Sequence, residues 1–432
     1  MCRKLKILIV PYYFPPLGGG GVLRPLNFVK YLPMFDINVG VLTIKNIHYH
    51  CYDYSLLDEV PNTVKVNRVE TIEPLRLIKI IKELKALITR KRYVPPQEVS
   101  YGRNRLFRFV RSIIPPDEKL ISVPSLVLGA MNMIAENGYN IVMTTSPPDS
   151  MHIVGLVLKL LYGVRWIADF RDPWHTNYLK MQLNPVSYLI DDVLERLVIK
   201  NADLIITTAP SLSSEFLERF KVLDEGKVIT ITNGFDEDEM EFIPKKERDD
   251  RILFLHCGNF SDIRTAMPFL EAVSQIYKAD SDLAKHIRFR FIGAFKKEER
   301  DWVEKSGLSE VIEIGGYKNH RDTLNEMLNA DVLLLILNKE FERTRISAKV
   351  FEYLWSGKPI LAILPEGDTQ AIILEHKAGI CINSYSIDDI VQGIYKMIGL
   401  LKDGFYLSRT GIGKYSRKAL TKKFVDIMKK ML

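Results

Sequence analysis

The fold is decided by two stretches near the start of the chain, Lys6-Ile-Leu-Ile-Val10 and Pro15-Pro-Leu-Gly-Gly-Gly-Gly21. The first stretch is short, rich in apolar β-formers and followed by Pro11, which predicts a buried strand. Beyond the glycines, residues 23–32 have the apolar spacing of a helix, and Asn38-Val-Gly-Val-Leu-Thr43 predicts a second strand. A strand, a glycine-rich loop, a helix and a strand in this order open a doubly wound parallel sheet.

The alternation of strands and helices continues along the chain and restarts once. Further strand-like runs follow at 140–145, 164–169, 203–208 and 228–232. A short charged segment that contains a proline, 244–251, has the composition of a linker, and a second series of strands begins at Ile252. We therefore predict an α/β chain of two Rossmann-like αβα domains, 1–243 and 250–413, that face a central ligand-binding cleft.

The composition excludes several classes of protein. Of the 432 residues 47% are hydrophobic, so the chain can bury a substantial core and we expect a folded rather than a disordered protein. No uninterrupted apolar run approaches the ~20 residues that a membrane span needs, and we expect no secretory signal. The 4 cysteines lack CxxC spacing, which favours reduced thiols in a cytosolic protein over disulfides or a zinc site.

The four glycines at 18–21 precede a predicted helix but lack the GxGxxG spacing of a dinucleotide site. Gly19 and Gly20 let backbone N–H groups approach a ligand closely at a helix N-terminus, where negative charge is stabilised. Arg24, just inside the helix, strengthens the prediction of an anionic group at this point. A turn that binds no ligand is the alternative.

Two polar clusters follow predicted strands in the same half, at the position where open α/β sheets bind ligands. Asp149 and His152 form the first, for which a helix start with a hydrogen-bonded histidine is the alternative. The second cluster contains Arg171, Asp172 and Trp174. A purely structural group of ion pairs is the alternative for that cluster.

The C-terminal half offers a second set of candidates. Gly258 and Asn259 follow a predicted strand, and Arg264 lies close behind them, so a diphosphate could rest on the helix N-terminus and pair with the arginine. Lys349 and Glu352 are three residues apart and hence neighbours on one helix face. A lysine beside a phosphate and a carboxylate that accepts two ribose hydroxyls would define a nucleotide-diphosphate pocket. For Arg264 the alternative is a solvated arginine on a surface helix. For Lys349 and Glu352 it is an i,i+3 salt bridge between the two side chains.

An ordered series of motifs resembles glycosyltransferase family 4, a large group of retaining GT-B-fold enzymes often used for bacterial surface polysaccharides. The motifs are the glycine loop with Arg24, Ser146-Pro-Pro, Asp169-Phe-Arg-Asp-Pro-Trp, Thr232-Asn-Gly-Phe-Asp236, Gly258-Asn-Phe and Ser347-Ala-Lys-Val-Phe-Glu-Tyr-Leu-Trp-Ser-Gly-Lys-Pro. The resemblance covers nearly the whole chain. It implies a GT-B fold with a nucleotide-sugar donor in the C-terminal domain and an acceptor on the N-terminal domain. It also implies a C-terminal helix, 414–432, that packs back on the N-terminal domain, and transfer without an obligatory metal or other cofactor.

Carried over residue by residue, the resemblance implies that Arg264 and Lys349 hold the donor diphosphate and that Glu352 holds the ribose diol. The residues expected to bind the nucleotide-sugar donor, called the donor set below, are Gly258, Asn259, Arg264, Lys349 and Glu352. The catalytic set is Gly19, Gly20, Arg171 and Asp172. The acceptor-side set is Arg24, Asp149, His152 and Trp174. The sequence departs from the family's pattern at Thr344, where the family commonly has a first glutamate.

A basic segment spans 75–111, with eleven Lys or Arg and two Glu, so its local charge is +9. Its first lysines alternate with apolar residues at helical spacing, which is typical of a helix that lies on an anionic membrane surface. The charge is local and no nucleic-acid-binding motif accompanies it, so we predict a membrane and not a nucleic acid as its partner. A solvated helix face is the alternative.

These features together predict a cytoplasmic retaining glycosyltransferase that is peripheral on the inner face of the cell membrane. The expected donor is a nucleotide sugar, with a UDP-sugar favoured. The expected acceptor is a lipid-linked or oligosaccharide glycan of bacterial surface-polysaccharide biosynthesis. Two alternatives are a GT-B-type nucleotide-sugar epimerase and a catalytically inactive nucleotide-sugar-binding scaffold.

Overall fold

The structure is a computed structural model. It describes residues 5–45, 49, 51–71, 114–177, 180, 184–221, 223, 225–240, 250–260, 264–337, 343–405 and 407–431. The basic segment predicted at 75–111 lies outside these residues.

The chain divides into two compact units. Unit 1 consists of Met1–Ile231 together with Thr421–Leu432, and unit 2 consists of Thr232–Leu420. The predicted boundaries at 243, 250 and 413 therefore differ from the division in the structure. The segment that follows Ile231 groups with unit 2, because Phe235 pairs with Ser416 in an isolated parallel bridge and donates its backbone N–H to the Tyr415 carbonyl at 3.2 Å.

Unit 1 is built on a seven-stranded sheet in the order β3-β2-β1-β4-β5-β6-β7, in which every neighbouring pair is parallel. The strands are β1 Lys6–Val10, β2 Asn38–Ile44, β3 Lys65–Val69, β4 Ile141–Ser146, β5 Arg165–Phe170, β6 Leu204–Thr207 and β7 Val228–Thr230. The direction of winding reverses between β1 and β4, which are neighbours in the sheet but not in the chain. The loops after β1, β4 and β5 therefore meet at a topological switch point, where this fold class binds ligands.

The described helices of unit 1 connect these strands. They are α1 Gly20–Tyr31, α2 Val123–Asn137, α3 Ser150–Tyr162, α4 Pro185–Asn201 and α5 Pro210–Arg219. Helix α3 approaches the sheet so closely that a Cβ on Gly155 would lie 2.0 Å from Trp166 Nε1, which requires glycine there. The end of the last helix of the chain, Arg417–Lys430, also belongs to unit 1, where the Phe424 ring lies 5.0 Å from that of Phe28.

One helical stretch of the described chain, Glu118–Asn137, is long and apolar enough to cross a membrane when judged by length and composition alone. Its side chains Leu126, Ala130 and Met133 are fully buried in unit 1. Core helices of soluble proteins pass the same test, so this stretch is weak evidence for a span. Polar residues interrupt the apolar run of this stretch.

Unit 2 is built on a six-stranded parallel sheet in the order β10-β9-β8-β11-β12-β13. The strands are β8 Ile252–Cys257, β9 Ile287–Ile292, β10 Ile312–Ile314, β11 Val332–Ile336, β12 Ile360–Ile363 and β13 Gly379–Ile382. The helices are α6 Glu237–Met240, α7 Met267–Ala279, α8 Ser281–His286, α9 Lys297–Lys305, α10 His320–Asn329, α11 Lys349–Ser356, α12 Asp368–Glu375 and α13 Ile387–Lys402, with α14 Arg417–Lys430 starting in this unit. Buried phenylalanines from β8, α7 and β9 form much of the core, and β8 pairs with both β9 and β11 at its centre.

Candidate functional site

At the switch point of unit 1, a buried ion pair joins α1 to the end of β5. Arg24 Nη2 lies 2.7 Å from Asp169 Oδ1, Arg24 Nε lies 3.1 Å from both carboxylate oxygens, and the two side chains are 2% and 0% exposed. Thr145 Oγ1 donates a further hydrogen bond of 2.7 Å to Asp169 Oδ2. The acceptor contact predicted for Arg24 is therefore wrong for this structure, because its guanidinium is buried against Asp169.

Arg171 holds together the loops that follow β1, β4 and β5. Its Nη1 donates to the Gly21 carbonyl at 2.5 Å, its Nε to the Ser146 carbonyl at 2.7 Å and its Nη2 to the Pro147 carbonyl at 2.6 Å. Burial lowers the pKa of Arg171, and Asp169 and Asp172 oppose that shift. Arg171 thus fixes the backbone of the glycine loop and of the loop after β4.

The glycine loop itself ends in an open helix N-terminus. Gly19 is the N-cap of α1 with φ of 85°, a left-handed conformation that favours glycine. Gly19 and Gly20 are exposed, and a Cβ on either would meet no atom within 4 Å. Within the described residues no side chain caps this helix. The Val22 N–H donates to the Gly19 carbonyl at 3.1 Å, and the approach of a ligand to this helix start stays a prediction.

His152 and Trp174 are packed inside unit 1, which contradicts their predicted contact with an acceptor. Thr144 Oγ1 accepts from Trp166 Nε1 at 2.9 Å and also lies within hydrogen-bonding distance, 2.8 Å, of His152 Nδ1. Burial lowers the pKa of His152 to about 3, and its neutral ring lies 4.3 Å from the Phe170 ring. Both side chains are 0% exposed, so neither faces solvent.

Asp149 belongs to a buried ionic network that the sequence did not reveal. Its Oδ2 lies 3.2 Å from Lys180 Nζ, which also contacts Asp191 Oδ1 at 2.9 Å. Trp174 Nε1 donates to the same Asp191 oxygen at 2.9 Å. Burial raises the pKa of Asp149 to about 7, although Lys180 opposes the shift. No local spacing connects these residues, so only the fold identifies the network.

Two exposed tyrosines beside the glycine loop were also not predicted from the sequence. Leu17 pairs with Tyr52 in an isolated antiparallel bridge, and the Gly18 backbone N–H donates to the Cys51 carbonyl at 3.0 Å. The rings of Tyr52 and Tyr54 lie nearly parallel, with centroids 6.2 Å apart, and both are exposed. Flat aromatic surface therefore borders the open end of α1.

In unit 2 the predicted donor residues gather at the carboxyl end of β8. A Cβ added to Gly258 would lie 3.0 Å from both Lys349 Nζ and His256 Nε2, so the missing side chain leaves room for these two groups. The His256 pKa is lowered to about 3, first by burial and then by the positive charges of Lys349 and Arg264. His256 Nδ1 lies 3.0 Å from the Leu334 carbonyl and donates to it. The structure thus brings Gly258, Arg264 and Lys349 around a neutral histidine that no motif had indicated.

Glu352 lies one turn beyond Lys349, in the first turn of α11. Burial and the carboxylate of Glu239 raise its pKa, whereas His320 and Lys349 oppose the shift. His320 Nε2 lies 2.9 Å from Glu239 Oε2, so these two groups form a second pair beside Glu352. A buried carboxyl next to a lysine and a helix N-terminus can accept hydrogen bonds from a diol.

Asn259 has a structural role in the same loop. Its Oδ1 accepts the backbone N–H of Ala294 at 2.9 Å, and Gly258 donates its own N–H to the Ile292 carbonyl at 2.8 Å. A Cβ on Gly293, whose φ is 125°, would lie 2.4 Å from the Gly258 carbonyl oxygen. These contacts fix the Gly258 backbone against the loop that follows β9.

Two Rossmann-like parallel sheets, each with polar groups at the carboxyl ends of its strands, define a GT-B-fold protein. The family model for Glycosyltransferase Family 4 matches residues 86–239, and that for Glycosyl transferases group 1 matches residues 237–418. The chain belongs to this glycosyltransferase family, as the motifs indicated. No curated protein matches the chain.

Solved structures show the same fold at low sequence identity. Sucrose-phosphate synthase from Thermosynechococcus elongatus is 14% identical with a TM-score of 0.68, and 99% of each chain is covered. A TarM mutant from S. aureus, in complex with fondaparinux, alpha-GlcNAc-glycerol and UDP, is 12% identical with a TM-score of 0.63, covering 98% of this chain and 99% of TarM. WaaG, a glycosyltransferase involved in lipopolysaccharide biosynthesis, is 13% identical with a TM-score of 0.60 over 98% and 99% of the two chains.

Proposed function

We propose that this glycosyltransferase moves a sugar, with retention of the anomeric configuration, from a nucleotide-diphosphate donor to a lipid-linked glycan acceptor in bacterial surface-polysaccharide biosynthesis. The observation that supports this most is the donor set of unit 2, with Gly258, Arg264 and Lys349 around the end of β8. Two cations beside a helix N-terminus suit a diphosphate. Glu352, on the same helix as Lys349, suits the ribose diol. A UDP-sugar is the favoured donor, and the presence of UDP in the similar TarM structure supports that choice.

In this mechanism the sugar–diphosphate bond breaks and negative charge grows on the leaving diphosphate. Arg264 and Lys349 stabilise that charge, because they are oriented before the reaction begins. Two cations supply the charge that a divalent metal would otherwise supply, so we propose a reaction that needs no metal. The acidic run Asp236-Glu-Asp238 forms a turn, in which Asp236 Oδ1 accepts the Asp238 backbone N–H at 3.0 Å.

The acceptor is proposed to meet the glycine loop of unit 1. Arg171 holds this loop through the Gly21 carbonyl, and a Cβ added at Gly19 or Gly20 would meet no atom within 4 Å, which leaves room for a ligand. The exposed rings of Tyr52 and Tyr54 offer flat apolar surface to the face of an acceptor sugar. Arg171 is thus a positioning residue in this proposal, and no protein group is assigned as a nucleophile.

The proposed function is tested by thermal-shift measurements on the full chain with UDP-, GDP-, ADP- and dTDP-sugars. A donor that binds only the folded state raises the melting temperature, and 100-fold excess over Kd contributes about 2.7 kcal/mol. We expect the largest shift with one UDP-sugar, with and without a chelator present. No shift with any of the four classes would contradict the proposal.

The same samples separate the two alternative functions. An epimerase would interconvert the donor sugar without an acceptor, which NMR of the nucleotide sugar detects. An inactive scaffold would bind the donor without turnover in the presence of glycan acceptors. Transfer that yields the free nucleoside diphosphate and a glycoside of retained configuration supports the proposal against both.

Donor binding is expected to weaken on mild acidification, because the pKa of Glu352 is raised. A carboxyl with a raised pKa becomes protonated at a higher pH than usual, and the neutral form accepts weaker hydrogen bonds from the ribose diol. Titration calorimetry of the nucleoside diphosphate from about pH 8 to pH 5 measures this dependence. Glu352→Gln should bind the nucleoside diphosphate several-fold more weakly than the wild type at about pH 8. Its affinity should no longer fall between about pH 8 and pH 5 through protonation of this side chain. An unchanged profile in Glu352→Gln would remove Glu352 from the ribose site.

We also propose that the enzyme is cytoplasmic and peripheral on the inner face of the cell membrane, where a lipid-linked acceptor is accessible. The basic segment 75–111, with a local charge of +9, supports this location because anionic lipids attract such a segment.

A further inference from the structure

Helix α4 of unit 1, Pro185–Asn201, has its amphipathic pattern reversed up to Glu195, and only its last turns bury apolar side chains, Val198 and Ile199. Its inward residues include Ser187, Asp191 and Glu195, and the two acidic side chains are 0% exposed. Its outward face consists of apolar side chains that are between 42% and 67% exposed, namely Val186, Leu189, Ile190, Val193 and Leu197. These five have the i, i+3, i+4, i+7 and i+11 spacing of a single helical stripe. We call them the α4 stripe.

The inward carboxylates hold the helix in this orientation. Asp191 Oδ1 accepts from Trp174 Nε1 and from Lys180 Nζ, both at 2.9 Å. Glu195 accepts from Arg219 Nη2 at 2.5 Å and from the backbone N–H of His175 at 3.2 Å. A rotation that buried the α4 stripe would break these contacts and leave buried charges without partners, which is strongly unfavourable. The outward display of apolar side chains is therefore specified by the ionic network beneath it.

The neighbouring helix extends the apolar surface. Helix α3 precedes β5 and α4 follows it, so the two helices run in the same direction across one face of the parallel sheet. The last turn of α3 exposes Leu160, Leu161 and Tyr162. Because the two helices run in the same direction, these side chains lie at the same end of the sheet as Leu197, the last residue of the α4 stripe.

The outward face of α4 carries a small net positive charge. Arg196 and Lys200 are exposed at the C-terminal end of the helix, beyond most of the α4 stripe. The remaining acid of α4 is Asp192, which is 19% exposed and lies 2.7 Å from Arg196 Nε. Asp192 offsets the charge of Arg196, so the exposed face combines an apolar stripe with the net positive charge of Lys200.

The apolar stripe and the positive charge together indicate which partner would bind to this face of α4. A second copy of the chain that docked through α4 would bring the same apolar surface with the same net positive charge, because Asp192 is already paired with Arg196, so like charges would meet. An anionic lipid surface receives both, because apolar side chains enter the acyl boundary while cations contact the headgroups. A helix with only one apolar face lies in the membrane interface and does not cross the bilayer.

We propose that the α4 stripe, together with the exposed end of α3, docks unit 1 onto an anionic lipid surface. This inference rests on the membrane location in the proposed function and assigns it to a surface outside the basic segment 75–111. The two sites would act together, since neither a short stripe nor a basic segment alone anchors a protein stably.

The test is co-sedimentation of the full chain with vesicles of phosphatidylcholine alone and of phosphatidylcholine with phosphatidylglycerol at about 3:1, chosen to supply anionic headgroups. The variant Leu189→Gln/Val193→Gln removes two apolar contacts without changing charge. We expect its partition onto the mixed vesicles to fall at least tenfold. Its melting temperature and donor-induced shift should stay at wild-type values, since both side chains are exposed. The matched control, Met34→Gln/Leu374→Gln, alters exposed apolar residues elsewhere and should bind as the wild type does.

A charge variant of the basic segment 75–111 separates docking through α4 from membrane association of the enzyme in general. It replaces Lys79, Lys82, Lys85, Arg90 and Arg92 by Gln. If only this variant loses binding while the α4 variant binds normally, α4 docking is overturned and membrane association stands. If the wild type binds neither vesicle, both are overturned. If light scattering shows a dimer that the α4 variant dissociates, the stripe is a self-interface and the lipid proposal is overturned.

Discussion

Replacing Lys349 with methionine should lower kcat by about 10²- to 10³-fold, the loss typical of removing one preorganised group that stabilises developing charge. Lys349 is the first residue of α11, and its Nζ would lie 3.0 Å from a Cβ on Gly258. In the proposed mechanism it stands beside the leaving diphosphate, whose negative charge is larger in the transition state than in the bound donor. The loss should therefore appear in kcat more than in the donor KM.

Initial rates at saturating acceptor, with the donor concentration varied, measure this effect. Lys349→Arg keeps the charge and should recover part of kcat, whereas Lys402→Met, an exposed lysine at the end of α13, should behave as the wild type does. Wild-type kcat in Lys349→Met would remove this residue from the diphosphate site. A donor-induced thermal shift that persists in the variant shows that the fold and the rest of the site are intact.

The proximity of Gly258 and Lys349 could be predicted from the sequence because of one physical regularity. Gly258 and Lys349 are far apart in the chain, but each follows a strand of a parallel sheet, and β8 and β11 are neighbours in that sheet. Carboxyl ends of neighbouring parallel strands meet at one edge, so strand recognition alone brings these loops together. His256 was missed because a lone histidine inside an apolar strand carries no motif.

The orientation of polar side chains in unit 1 could not be predicted. Arg24, His152 and Trp174 all lie in segments that follow predicted strands, yet each faces inward and is held by a partner from another element. Sequence order places a residue near an edge of the sheet but does not fix the direction of its side chain. The same holds for α4, whose pattern alone suggests a conventional helix with its leucines inside, because the partners of Asp191 and Glu195 come from other elements.

Replacing Asp169 with asparagine should destabilise unit 1 by about 3–5 kcal/mol, the cost of removing one partner from a buried ion pair. The variant is isosteric, so the loss comes from leaving the Arg24 guanidinium buried without a counter-charge. Arg24 makes three contacts of 3.1 Å or less with this carboxylate, and the pair is almost entirely excluded from water. For a domain of this size, each kcal/mol lowers the melting temperature by roughly 2–4 °C. Thermal denaturation followed by calorimetry gives the size of the change.

A double variant separates the buried charge from the packing around it. Arg24→Leu/Asp169→Leu removes both charges, and replacing a buried pair by apolar side chains is often neutral or stabilising, so we expect it to regain most of the lost stability. The matched surface pair Lys45–Glu70, 3.2 Å apart with side chains 50% and 77% exposed, provides the control. Glu70→Gln should cost less than about 1 kcal/mol, because solvent screens an exposed pair. If Asp169→Asn cost no more than Glu70→Gln, the Arg24–Asp169 pair would not be what fixes α1 and the glycine loop against β5.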